Sequence, residues 1–323
     1  MEFGKNKKIT IPKILVILGP TASGKSDLAV TLAREFSGEI VSADSRQVYK
    51  GLDIGTGKIT EREMRGIPHH LLDVASPRRV FTAADFAEQA RAAISAIAAR
   101  GKLPIVCGGT GFYIEVLLGA IALSDVPPNA TLRKELEKET TEALVRKLQK
   151  LNHTRAETID TKNRHRLIRA IEVACGKLLA EGYTLPPWCP QGVALRRVFH
   201  KQEEPQSYCV LKIGIAVSRE KLKEKIAARL RARLAVGMVE EVARLHTKGL
   251  SWKRMEELGL EYRFLARYLR KKISKEEMTA QLETAINQYA KRQTTWFKRD
   301  KEIYWVSSDE YKKTKKMVAG FLA

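Results

Sequence analysis

Acidic residues are scarce in this sequence. Only 37 Asp and Glu stand against 58 Lys and Arg, so the 323 residues carry a formal charge of +21. An excess of that size disfavours a charge-balanced surface and points to a polyanionic partner. Cysteine is sparse too. Cys107, Cys175, Cys189 and Cys209 are widely spaced, and no C-x-x-C or Cys/His zinc pattern occurs. Four reduced thiols and a cytoplasmic location are therefore expected. Long apolar runs are missing: Ile14 to Leu18 is short and flows directly into a glycine turn. That rules out a signal-peptide core there, and no other run has the length of a membrane-spanning helix. No internal repeat is visible. The basic clusters at the ends (Lys5, Lys7, Lys8; Lys312, Lys313, Lys315, Lys316) read as solvated tails. Hydrophobic content of 44% is ordinary for a globular chain long enough for a large core.

The most informative stretch is Gly19-Pro20-Thr21-Ala22-Ser23-Gly24-Lys25-Ser26. It meets G-x-x-x-x-G-K-[ST] at every required position. The apolar strand before it and the helical pattern of Leu28, Ala29, Leu32 and Ala33 after it supply the context of a P-loop. Its N–H groups and the helix N-terminus present positive potential to phosphate oxygens, Lys25 adds a charge, and the Ser26 hydroxyl suits Mg²⁺. The motif says that phosphates bind; it does not say which.

Ile40 and Val41 read as a second strand, and Asp44 follows its carboxyl end, near the P-loop. A carboxylate placed there handles a proton or a metal, or it caps a turn. Residues 48–58 form a glycine-rich loop suited to a ligand. His69-His70 point different ways, so a structural role is expected for them. Phe81 to Arg100 is an amphipathic helix with Thr82 and Asp85 as a capping box and Gly101 as its stop. Leu103 to Cys107 is a buried strand that ends in Gly108-Gly109-Thr110 without an acidic residue, which disfavours an ATP-hydrolysing motor. Composition shifts at Ser124-Asp125-Val126-Pro127-Pro128 into charged helices that run to about Leu179. Residues 182–205 read as a return linker, and Leu211 to Val217 restores the strand signal. The last clear helix spans Glu276 to Lys298, with Ile286, Tyr289 and Trp296 inward and Lys291, Arg292, Thr295 and Arg299 outward. The expected architecture is α/β: a P-loop NTPase-like parallel sheet flanked by helices. Residues 1–124 and 206–323 form this core, and residues 125–205 form an inserted all-helical domain.

In order along residues 14–298, these stretches closely resemble the tRNA dimethylallyltransferases, also called isopentenyl-diphosphate:tRNA transferases, in their bacterial form. The matching segments are Gly19–Ser26, Ser42–Tyr49, Asp53–Thr56, Pro68–Leu71, Gly108–Thr110, Arg166 with Arg169–Val173, and Lys291–Trp296. A P-loop by itself would be weak; the ordered set is specific. The resemblance implies transfer of the dimethylallyl group from dimethylallyl diphosphate to N6 of adenine 37, beside the anticodon of tRNAs that read codons starting with U. Gly19, Pro20, Thr21, Ala22, Ser23, Gly24, Lys25 and Ser26 would hold the diphosphate, with Mg²⁺ at Ser26 and Arg229 completing the clamp. Asp44 would act as general base and Thr21 would lie beside the transferred carbons. Relatives thread the anticodon stem-loop between core and insertion. By that likeness, tRNA contacts would come from Asp44, Ser45, Arg46, Gln47, Thr110, Arg133, His165, Arg166, Leu167, Ile168 and Arg169, with the insertion as the tRNA domain. Lys291, Arg292, Gln293, Thr294, Thr295, Trp296, Phe297 and Lys298 would add theirs from the last long helix. A monomer without membrane contact is expected.

One departure from the family is Glu261, where many relatives have Gly before the tyrosine matching Tyr262; another is the missing zinc-finger extension of eukaryotic relatives. An adenylate isopentenyltransferase would share the core but act on free adenine nucleotides. The charge excess, the helical insertion and the 291–296 helix favour tRNA over it. A small-molecule kinase would use the same P-loop with ATP, and a non-catalytic RNA-binding protein would need an inert Asp44 region.

Overall fold

The computed structural model describes residues 11–189, 207–307 and 309–323. Lys5, Lys7 and Lys8, and the part of the expected linker from Pro190 to Pro205, lie outside the described residues. The described chain forms two compact units: residues 11–121 with 207–323, and residues 122–189.

The first unit opens with β1 (Lys13–Leu18), α1 (Lys25–Glu35), β2 (Gly38–Ser42), α2 (Glu61–Met64), β3 (His69–His70), α3 (Ala83–Ala99), β4 (Leu103–Gly108) and α4 (Gly111–Leu117). The second unit interrupts the sequence with α5 (Ala130–Leu136), α6 (Thr141–Leu151), α7 (His153–Thr158) and α8 (Arg164–Ala180). The first unit resumes with β5 (Cys209–Ala216), α9 (Arg219–Ala235), α10 (Met238–Thr247), α11 (Trp252–Leu258), α12 (Leu260–Leu269), α13 (Lys275–Phe297), β6 (Tyr304–Ser307) and α14 (Tyr311–Leu322).

The six strands are all parallel, in the order β3-β2-β4-β1-β5-β6. Parallel strands bury both faces, which explains their unbroken apolar runs. Leu15 and Ile17 of β1 pack with α1 and α14 on one face; Ile14, Val16 and Leu18 pack with α3, α4 and α13 on the other. A third core, built from α9 to α13, closes round Tyr49, Leu52 and Tyr262. Because the strands are parallel, the turns after β1, β2 and β4 emerge at one edge, and there the P-loop, Asp44 and the Gly108–Thr110 turn meet. Thr82 and Asp85 cap α3 reciprocally, as their spacing predicts. The adjacent histidines are structural: His70 Nε2 lies 2.7 Å from Glu39 Oε2, and His69 Nδ1 lies 2.8 Å from the Ile67 carbonyl oxygen.

Three sequence expectations need correction. The basic C-terminal segment is the helix α14, with Thr314 and Val318 buried against the sheet while its lysines stay at or near the surface. A 3.6-residue apolar stripe is thin there, and the lysines mask it. The four reduced thiols become two: Cys175 and Cys189 are joined as a disulfide, leaving Cys107 and Cys209 free among the described residues. Their separation of 14 residues matches no zinc or redox spacing, so nothing local announced the pair. Leu185 and Cys189 are also buried in the helical core, so the expected linker begins as packed structure.

Within the helical unit, Glu172 is a hub with its side chain 1% exposed. It accepts from Arg133 Nε at 2.9 Å and Nη2 at 2.8 Å, from Arg169 Nη1 at 2.5 Å, and from the Asn129 N–H. These bonds hold its carboxyl below the usual carboxylate range against the opposing effect of burial. Glu172→Ala is expected to destabilise this unit by roughly 2–3 kcal/mol in urea titration. That is less than for a fully buried pair, because both arginines can reach water once released.

Candidate active site

The cavity at the strand ends has a volume of about 330 Å³. Lys25 and Ser26 enter it from the P-loop, Asp44 from the turn after β2, Arg229 and Arg233 from α9, and Glu261 from α12. Gly24 caps α1 with φ +95°, a left-handed geometry that lets the loop turn sharply into the helix. Ala22 adopts φ +62°, a strained value for a non-glycine residue, and such strain gathers at sites that hold ligands. Ser23 Oγ is fully buried and has no partner among the described residues.

Lys25 Nζ donates to the Pro20 carbonyl at 3.3 Å. Burial lowers its pKa first, and Arg229 and Arg233 add to that, while Cys107 and Asp44 oppose it. Burial, then Arg233, brings Arg229 down to about 10, so it remains charged at neutral pH. Three buried or half-buried cations in one cavity repel one another, and an anion bound among them relieves that repulsion. Burial pushes the Cys107 thiol up to about 11, so it is no nucleophile at neutral pH.

Asp44 Oδ1 accepts from the N–H groups of Arg46 at 2.8 Å and Gln47 at 3.3 Å. Its Oδ2 accepts no hydrogen bond from the described residues. The turn-capping reading of Asp44 is met by Oδ1, and Oδ2 is left to the cavity that Asp44 lines. Thr110 Oγ1 accepts from the Ser45 N–H at 3.1 Å, so Thr110 supports this turn.

The loop after Leu52 is fixed by two opposing sets of bonds. Glu241, 4% exposed, accepts from the N–H groups of Asp53 (2.9 Å), Ile54 (2.7 Å) and Gly55 (3.0 Å) and from the Tyr262 hydroxyl (2.8 Å). On the carbonyl side, Arg229 Nη2 donates to Gly57 O at 3.0 Å and Arg233 Nη1 to Gly55 O at 3.3 Å. Glu241→Ala is expected to lower Tm by several degrees in a thermal melt. It strips partners from three N–H groups and a buried hydroxyl, at about 1–3 kcal/mol for a single orphan.

Sequence reasoning missed Glu241 and Arg233. Arg233 lies one helical turn beyond Arg229, and that spacing is the signal that could have found it. The departure at Glu261 now has a place. Gly259 (φ +74°) and Leu260 (φ +34°) turn the chain between α11 and α12, and Glu261 Oε1 meets Arg233 Nη1 at 3.3 Å. Burial raises the Glu261 pKa against the pull of Arg233.

The residues expected to contact tRNA divide. Ser45, Arg46, Gln47 and Arg292 line the cavity. Lys291, Thr295 and Lys298 are exposed on α13, as His165 and Arg166 are on α8. Leu167 and Ile168 are buried in the helical core, and Gln293, which also lines the cavity, lies with Phe297 on the buried face of α13 beside Ile286 and Ala290. The spacing 286, 290, 293, 297 is a helical apolar stripe in which Gln293 is the polar exception. Trp296 is half-buried, its indole N–H without a partner among the described residues, and Thr294 returns its hydroxyl to the Ala290 carbonyl. Arg133 and Arg169 are engaged by Glu172.

Among the described residues no cluster of three or more His, Cys, Asp or Glu could hold a metal. The donor set that fits Mg²⁺ is the exposed Ser26 hydroxyl at the head of α1 together with the oxygens of a bound phosphate group and water. No helix among the described residues is long and apolar enough to cross a membrane.

The family model described as IPP transferase matches residues 47–300. The chain is 43% identical to tRNA dimethylallyltransferase 1 of Geotalea daltonii over 297 residues, covering 91% of this chain and 90% of that one. It is 44% identical to tRNA dimethylallyltransferase 1 of Pelobacter propionicus over 308 residues, covering 93% and 94%. Among solved structures it is similar to the full-length tRNA isopentenylpyrophosphate transferase of Bacillus halodurans, with TM-score 0.68, 32% identity and 96% of each chain covered. The Staphylococcus epidermidis tRNA isopentenylpyrophosphate transferase gives TM-score 0.66 at 34% identity, covering 96% and 98%. The family model covers more than half of the chain and the curated relatives match nearly all of it, so the chain belongs to the IPP transferase family, that of the tRNA dimethylallyltransferases, and is a prenyl-transferring enzyme.

Proposed function

We propose that this protein transfers the dimethylallyl group of dimethylallyl diphosphate to N6 of adenine 37 in tRNAs reading codons that begin with U, giving N6-(dimethylallyl)adenosine. The observation that carries the reading is the convergence of Lys25, Arg229, Arg233 and Asp44 on one cavity. The allylic C–O bond breaks and its electron pair leaves with diphosphate. Cations already in place stabilise that developing charge without reorganising. Bound Mg²⁺, held at Ser26, would neutralise part of the same diphosphate charge. The N6 lone pair, delocalised into the ring, is a weak nucleophile, so placement against the allylic carbon matters more than bulk basicity. The new C–N bond leaves N6 with an extra proton, and Asp44 Oδ2 accepts it.

An adenine inside a stacked loop cannot reach this cavity, so the acceptor base leaves its stack. The exposed Lys291, Arg292 and Lys298 of α13, and His165 and Arg166 of the helical unit, suit the phosphates of that RNA. The helical unit is proposed as the tRNA domain, and the protein is proposed to act as a monomer in the cytoplasm. The test is transfer of labelled dimethylallyl from its diphosphate, with Mg²⁺, to an anticodon stem-loop carrying three consecutive adenines, beside AMP and ATP as competitors. Label on the stem-loop is expected; label on free nucleotide would move the protein to the adenylate-transferring type.

A further inference from the structure

α13 presents Ile286, Ala290, Gln293 and Phe297 to the interior. An amide 6% exposed on an otherwise apolar face must find partners for both ends. Gln293 does so across the fold. Its Oε1 accepts from the Thr21 N–H at 2.8 Å, and its Nε2 donates to the Gly109 carbonyl at 2.8 Å. A Cβ at position 109 would collide with that amide, so Gly109 leaves the space Gln293 fills.

The Thr21 N–H and the Pro20 carbonyl belong to one peptide group, and they point to opposite sides of its plane-spanning C–N bond. The carbonyl end is taken by Lys25 Nζ at 3.3 Å and by the Ser23 N–H at 3.3 Å. The N–H end is taken by Gln293. The peptide is therefore pinned from both sides, at the P-loop position whose side chain sits in the cavity. Were a bound anion to draw Lys25 from the Pro20 carbonyl, the bond from Gln293 would still restrain this peptide. The same amide grips Gly109, next to Thr110, whose hydroxyl accepts from the Ser45 N–H beside Asp44. One side chain thus connects the loop that would hold the donor to the turn that carries the base.

We infer that Gln293 is a positioning residue for transfer, which sets the Thr21 peptide of the P-loop against the Gly109–Thr110 turn through the orientation of its amide. The inference rests on the proposed prenyl transfer at this cavity.

Q293M keeps the bulk and removes both bonds. It is expected to lower kcat about 10–100-fold, the scale of a displacement near 1 Å, with the KM for RNA unchanged. Q293E keeps an acceptor for Thr21 but sets a carboxylate against the Gly109 carbonyl. Protonation restores a donor there, and burial raises the pH at which this happens. The ratio of Q293E to wild-type activity should therefore climb as pH falls from about 8 towards 6, a trend that a purely space-filling role would not produce. Binding of inorganic pyrophosphate, followed by calorimetry, should also be weaker in Q293M than in the wild type. A Q293M kcat within twofold of wild type, or a flat Q293E ratio across pH, overturns the inference. Should Q293M melt at the assay temperature, the Q293E ratio decides by itself. A wild-type protein that labels no acceptor overturns the transfer reading instead, and the pyrophosphate comparison still tests the pinning of the loop.

Discussion

Asp44→Asn is expected to slow single-turnover transfer about 10²–10⁴-fold while leaving the thermal transition in place. In the proposed reaction the two oxygens of Asp44 have separate duties, and this substitution separates them. Asn retains an oxygen that can accept from the Arg46 and Gln47 N–H groups, so the turn after β2 survives. Its second terminal atom becomes an NH₂ donor, which faces the N6 amino group with nothing to accept a proton. Asp44→Ala would remove the turn bonds as well, so its loss of rate could not be assigned. The donor side gives a second readout. Asp44 raises the pKa of Lys25, and removing that carboxylate leaves the cationic cluster more positive. The donor KM should hold or fall while kcat drops, the pattern of an interaction needed in the transition state. Quenched-flow transfer with saturating stem-loop measures it. A rate within tenfold of wild type would reduce Asp44 to a turn residue.

The sequence announced the parts of this protein that depend on local pattern. A buried parallel strand is an unbroken apolar run, a P-loop has fixed spacing, and a capping box repeats at three residues. β1, β4 and α3 were therefore legible to within one or two residues, and α1 as a helical pattern. Asp44 was legible because its position follows from strand order rather than from side-chain contacts. What stayed hidden depends on partners distant in the chain. Glu241 meets the backbone of residue 55 across 186 positions, and Gln293 meets Thr21 across 272. In a one-dimensional reading, Gln293 sits amid Lys291, Arg292 and Thr295 and looks like one more polar contact. Only the helical phase set by Ile286, Ala290 and Phe297 turns it inward. The ion pairs of Arg133 and Arg169 were hidden in the same way, because the carboxylate that engages them is a lone Glu172 on an apolar face. The short β6 and the lysine-rich α14 failed for lack of contrast between buried and exposed positions.

Gly57→Ala tests the cationic side of the site with a substitution that replaces neither arginine. Gly57 has φ +58°, and a Cβ there would overlap the guanidiniums of both Arg229 and Arg233. The chain can relieve this cheaply, because the colliding atoms are the far ends of flexible side chains. The same substitution elsewhere meets harder walls: at Gly55 the Tyr262 hydroxyl, which is tied to Glu241, and at Gly108 the Ala43 backbone carbonyl. Gly57→Ala should therefore fold, losing about 1–2 kcal/mol to the left-handed backbone of an L-residue and lowering Tm by only a few degrees. Its lesion is functional. Displaced guanidiniums give up the Gly57 and Gly55 carbonyls and leave the position at which they face Lys25. A fall in kcat/KM for dimethylallyl diphosphate of about 10²–10³-fold is expected, the scale of losing one preorganised donor to a developing anion. Affinity for the stem-loop, measured without donor, should be unchanged. Arg233→Ala in the same chain removes one of the two collisions, so the double variant should lose less than the product of the two single losses. If Gly57→Ala turns over donor like the wild type, Arg229 and Arg233 are structural braces of the loop and the diphosphate is held by the P-loop without them.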